Sequence, residues 1–77
     1  MSGLRKRSVT ISGHRTSFSL EEPFLEELRT LASHRGQTLA ALVAEVDADR
    51  PKGANLSSAL RVFVLEELRR ARKDDAS

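Results

Sequence analysis

The sequence predicts a small, mainly α-helical domain that opens with a short β-ribbon. Three observations support this reading. Before and after Gly13, apolar residues alternate with Ser and Thr. Next come two apolar stripes at helical spacing, divided by Gly36. A third stripe lies beyond a polar loop.

Residues 1–6 carry Arg5 and Lys6 and no regular apolar pattern, and they read as disordered. From Arg7 to Leu20 the chain is rich in Ser, Thr, Val, Ile and Phe, a composition suited to extended structure. Val9 and Ile11 occupy odd positions, whereas Phe18 and Leu20 occupy even ones. Side chains on a strand alternate with a period of two, so one continuous strand cannot bury both pairs. Gly13 therefore marks a bulge, a turn or a change of partner. The expected main strand is 16–20, and Val9–Ser12 is a separate extended arm.

The first helix is expected over about 22–35. Pro23 suits the first helical position, and Glu21, Glu22, Glu26 and Glu27 complement the positive end of the helix dipole. Phe24, Leu25, Leu28, Leu31 and Ala32 share one face, and Gly36 stops the helix. Thr38 is the expected N-cap of a second helix over about 38–48, whose face is Leu39, Leu42, Val43 and Val46. Asp49, Arg50, Pro51, Lys52 and Gly53 form a loop. Asn55 or Ser57 then caps a third helix over about 56–72, with Leu56, Leu60, Phe63, Val64 and Leu68 on its stripe. Val62–Leu65 is a wider apolar run than a surface helix needs, as expected where two subunits meet. The layout is therefore a flexible basic arm (1–7), one folded domain (8–72) and a frayed tail (73–77).

With 77 residues there is room for one domain, and a domain of ~60 residues buries only about 60% of its unfolded surface. Cysteine is absent, so neither disulfides nor thiolate metal sites can compensate, and pairing of chains is the expected remedy. His14 reads as a turn residue and His34 as a helix-end cation, with no metal and no cofactor expected. None of the nine serines sits in a nucleophile elbow. No phosphate-binding Gly loop occurs, so an enzyme is not expected. No apolar run reaches the ~18 residues of a membrane span, and the basic N-terminus lacks a following apolar stretch. A cytoplasmic protein is the expectation. The formal net charge is only +2, but residues 1–20 hold Arg5, Lys6, Arg7 and Arg15 and no acid. That imbalance suggests an electrostatic contact made by the N-terminal segment.

Ser17-Phe18-Ser19-Leu20-Glu21-Glu22-Pro23, followed by a helix and then Gly36-Gln37-Thr38-Leu39, resembles the Arc and MetJ ribbon-helix-helix repressors. The match spans Thr16–Val46. The flanking Arg-Ser-Val-Thr-Ile-Ser-Gly-His-Arg-Thr-Ser and Asn-Leu-Ser-Ser-Ala-Leu-Arg-Val-Phe resemble a bacterial subfamily with an extra C-terminal helix. The resemblance implies an intertwined two-fold dimer in which one strand from each subunit forms the ribbon. Phe18, Leu20, Leu28, Leu42 and Phe63 would form the dimer core. Arg15, Ser17 and Ser19 would face the DNA major groove, where base edges carry a full donor and acceptor code. Thr38 at the second helix start would hold a phosphate, joined by Arg5, Lys6 and Arg7. Glu21 departs from the pattern, because relatives often place a long polar or basic residue at this outward position. Two functions are thus expected as alternatives. One is a DNA-binding transcriptional regulator acting on double-stranded DNA as a homodimer or higher oligomer. The other is an interaction module, antitoxin-like, that uses the third helix or the Val9–Ser12 arm to hold a protein partner.

Overall fold

The computed structural model describes residues 3–76, with side chains up to Lys73. Two strands, β1 (Leu4–Ile11) and β2 (His14–Glu21), are followed by α1 (Glu22–His34), α2 (Leu39–Asp49) and α3 (Leu56–Ala76). The strands form one antiparallel hairpin, with Leu4 opposite Glu21 and Ile11 opposite His14. Ser12 and Gly13 form the two-residue turn, at φ 51° and 81°. Positive φ at both central positions is the mark of a type I′ turn, whose twist matches that of the flanking strands.

This hairpin resolves the parity conflict around Gly13 and corrects three expectations. Each residue pairs with one of opposite parity, as in Val9 with Thr16 and Arg7 with Phe18. Directly opposed residues of an antiparallel pair share a face, so the odd apolar positions of β1 join the even ones of β2. Val9–Ile11 is thus not a separate arm but part of β1, paired within its own chain. Leu4–Arg7 is strand rather than disordered arm, while Met1 and Ser2 lie outside the described residues. The expected strand over 16–20 extends to His14–Glu21.

Helix ends follow local chemistry. Pro23 occupies the second rather than the first helical position of α1, where its missing N–H again leaves no unmet bond. At the other end, the Gln37 N–H donates to the Ala32 carbonyl at 2.8 Å and the Gly36 N–H to the Ser33 carbonyl at 3.1 Å. This pair of bonds is the Schellman closure, and it needs the left-handed φ of 67° that Gly36 adopts. The Thr38 hydroxyl accepts from the Ala41 N–H at 3.0 Å and caps α2. Asn55, not Ser57, caps α3, its side chain accepting from the Ser58 N–H at 3.1 Å. α3 runs on through Lys73 to Ala76, where a frayed tail was expected, and Ser77 lies outside the described residues.

The core lies between the inner face of the ribbon and the three helices. Phe18, Leu20, Leu25, Leu28, Leu42, Val43, Leu60 and Val64 are buried, and Val9, Ile11, Phe24, Leu31 and Phe63 pack around them. Phe18 is 3% exposed and Leu20 is fully buried within a single chain. The expectation that a twin molecule must supply the strand that buries them is therefore overturned. β1 takes that place. Leu28 and Leu42 are likewise closed off within one chain. Phe63 is only half-buried, and the Arg35 guanidinium lies 5.3 Å from its ring centroid. No helix among the described residues is long and apolar enough to cross a membrane.

Candidate nucleic-acid interface

Because opposed residues share a face, the outer side of the ribbon is defined by the register. It carries Lys6, Ser8 and Thr10 from β1, directly across from Ser19, Ser17 and Arg15 of β2. Arg15 and Ser17 are exposed and Ser19 is half-buried. The Ser8 and Ser17 hydroxyls are 3.4 Å apart across the two strands. The three residues expected to read bases thus stand in one row, and β1 adds a second row beside them. Ser8 and Thr10 were missed as members of this surface. Their signal was the parity change at Ser12-Gly13, which places even positions of β1 beside odd positions of β2.

The expected phosphate contacts are split by the ribbon. Lys6 stands on the outer face, whereas Arg5 and Arg7 alternate to the helix-facing side and emerge at its rim, still exposed. Arg5 Nε lies 3.0 Å from Glu22 Oε2 at the start of α1. Thr38 is exposed, and its hydroxyl already accepts the capping bond.

Glu21 is not left on the outer face as a bare charge. Arg61 of α3 donates from Nε to Oε1 at 2.9 Å and from a terminal nitrogen to Oε2 at 3.3 Å. The hydrogen bonds from Arg61 hold the carboxyl below its ordinary pKa, with a backbone bond adding to the effect. One helical turn earlier, the Ser57 hydroxyl accepts from the Ser19 N–H at 3.0 Å. That N–H therefore points away from β1, so α3 covers part of the outer edge of β2. The outer face is left with two cations, four hydroxyl side chains, Leu4 and a neutralised Glu21.

Among the described residues no three His, Cys, Asp or Glu side chains gather where they could hold a metal ion. An open hollow of about 870 Å³ separates α2 from α3, with Val46, Ala59, Val62 and Phe63 among its apolar lining. Arg35 bridges Glu45 and Glu67 across it, at 3.3 Å to each.

A family model described as the ribbon-helix-helix domain matches residues 4–68. The chain belongs to the ribbon-helix-helix family. Domains of this family are typically DNA-binding transcription regulators or antitoxins, generally dimerise, and form a non-enzymatic fold. Neither the curated proteins nor the solved structures compared with the chain gave a match. The two-stranded ribbon and following helices fit the family pattern, with α3 as an addition and the ribbon built by one chain.

Proposed function

We propose that this ribbon-helix-helix protein is a cytoplasmic transcriptional regulator that lays the outer face of its β-ribbon into the DNA major groove. The observation that carries the reading is the composition of that face. Lys6, Ser8, Thr10, Arg15, Ser17 and Ser19 stand together on a two-stranded ribbon, whose width suits the major groove. Arg15 can take a guanine in bidentate fashion, and Ser17 and Ser19 can bond to several bases. Lys6 on the face, Arg5 and Arg7 at its rim, and the amides beside Thr38 would hold phosphates, fixing register without reading sequence. Glu21, neutralised by Arg61, braces the ribbon's base. In the dimer typical of the family, two such ribbons would bind one operator.

The test is duplex binding across a salt series for the wild type, Arg15→Ala and Lys6→Ala. Each cation lost from a phosphate contact should reduce the slope of log K against log salt by about 0.9. Lys6→Ala is expected to lose about that much on every sequence. Arg15→Ala should instead lose discrimination between operator and random duplex, by roughly 1–3 kcal/mol. If the wild type shows no salt-dependent affinity at low ionic strength, the reading fails. The alternative of an antitoxin-like interaction module then stands, and the exposed apolar side of α3 favours it.

A further inference from the structure

The two edges of the ribbon are not alike. In an antiparallel pair, facing residues alternate between those that exchange both backbone bonds and those that turn N–H and C=O outward. The Ser19 N–H points away from β1 to the Ser57 hydroxyl, so Lys6, which faces Ser19, is of the outward kind. By the same parity so are Ser8 and Thr10, opposite Ser17 and Arg15. On the β2 side α3 covers the edge, with Ser57 at Ser19 and Arg61 at Glu21. On the β1 side, among the described residues, no hydrogen bond reaches the outward backbone groups of Lys6, Ser8 or Thr10. All three residues are exposed.

An unmet strand edge is a template for one more strand, and the side chains of β1 say which kind. One half of the strand carries Arg5, Lys6 and Arg7, with no acid anywhere in Leu4–Ile11. Arg5 lies against Glu22, while Lys6 and Arg7 take part in no ion pair among the described residues. The other half is Ser8-Val9-Thr10-Ile11, a composition that favours strand pairing. We propose that the free edge of β1 is a docking site for an extended acidic segment of another protein, added antiparallel as a third strand. Directly opposed residues share a face. Acidic side chains across from Lys6 and Arg7 would therefore meet one cation on each side of the sheet. Because the added strand runs in reverse, its acidic half follows a half rich in Val, Ile and Thr. A second β1 is the wrong occupant, since it would set its own Arg5, Lys6 and Arg7 against an edge that is already cationic.

On the major-groove reading, which this consequence requires, the added strand is an antagonist of DNA binding. It engages Lys6 and widens the ribbon to three strands, whereas the groove admits two. Acidic segment and duplex then exclude one another.

The probe is a synthetic peptide the length of β1, with Val, Ile and Thr in its first half and Glu in its second. Amide hydrogen exchange of the full chain, followed by NMR without DNA, reads the site. Exchange at Lys6, Ser8 and Thr10 should slow by about tenfold or more when the peptide is added. A peptide with Lys in place of Glu should bind at least about tenfold more weakly. Ser8→Pro removes the central outward N–H and leaves the backbone bonds to β2 in place, and Arg7→Glu reverses a charge. Each should weaken binding by a similar factor, with circular dichroism checking the fold, and either serves alone if the other fails to fold. Unchanged exchange, equal binding of the two peptides, or indifference to both substitutions overturns the proposal. So does slow exchange at these amides in the free chain, where a second copy or another cover already holds the edge. In a final titration the peptide should displace bound duplex, and a ternary complex overturns the shared use of the ribbon. A chain that binds the peptide and no duplex counts against the DNA reading alone, and one that binds duplex and no peptide against this site alone.

Discussion

Arg61 grips the Glu21 carboxylate with two nitrogens, at 2.9 and 3.3 Å, across 40 residues of sequence. The contact fastens the last residue of β2 to the second turn of α3 and so ties the base of the ribbon to the added helix. It also gives stability a pH dependence of known sign. The folded-state pKa of Glu21 is lowered, chiefly by the hydrogen bonds from Arg61. The stabilisation is therefore present above the unfolded pKa of about 4.3 and is lost as pH falls through the lower folded value. Arg61→Met should be less stable than wild type at pH 7, and the gap should close in more acidic solution. Urea unfolding at pH 7, 4 and 3 measures it. A gap that is constant over that range would show that Arg61 acts through packing alone.

The turn makes a second prediction. Ser12 adopts φ 51° without being glycine, and Gly13 adopts φ 81°. A Cβ at Gly13 would meet nothing within 4 Å, so the cost of Gly13→Ala is backbone strain alone, about 1–2 kcal/mol. Ser12→Asn should act in the opposite direction by a few tenths of a kcal/mol, because Asn-Gly is the preferred pair for this turn. Urea midpoints that move in the opposite order would contradict the I′ geometry.

Much of the helical architecture was legible in the sequence because its signals are local. Gly36, Thr38 and the stripe from Phe24 to Ala32 each act within a turn or two of the residues they organise. The hairpin was harder to read. Its parity change was visible at Gly13, but Arg5, Lys6 and Arg7 put cations on both faces of β1, which erased the alternation that identifies a strand. Neutralisation of Glu21 had no local signal, because its partner lies in the last helix. The row of Arg15, Ser17 and Ser19 could be placed by parity alone, whereas the second row awaited the register.

The core closes within one chain, with β1 covering the inner face of the ribbon beside β2. Leu20 is fully buried among Leu25, Leu28, Leu42 and Leu60, and Leu20→Ala should cost about 2–5 kcal/mol. For 77 residues that is a large share of a total of roughly 4–12 kcal/mol. At concentrations where sedimentation gives a monomer mass, the unfolding midpoint should be independent of protein concentration, because the strand that covers Leu20 belongs to the same molecule. A midpoint that rises with concentration over that range would mean that β2 pairs across subunits.

Thr38 caps α2 and, in the proposed function, lies beside a DNA phosphate, and a single substitution can separate the two. As an N-cap, its hydroxyl accepts from the Ala41 N–H at 3.0 Å, and Thr38→Ala should cost about 1 kcal/mol of stability. Thr38→Asp keeps the cap, since a carboxylate accepts the same bond and is favoured by the helix dipole. It also places a negative charge where the proposed DNA phosphate would sit. The expected result is a Thr38→Asp protein as stable as wild type whose duplex affinity falls further than that of Thr38→Ala. Thermal melting and the salt-series titration, run on the same samples, measure the two effects separately. If Thr38→Asp binds duplex as tightly as wild type, no phosphate approaches the start of α2, and the contact to DNA lies wholly on the ribbon.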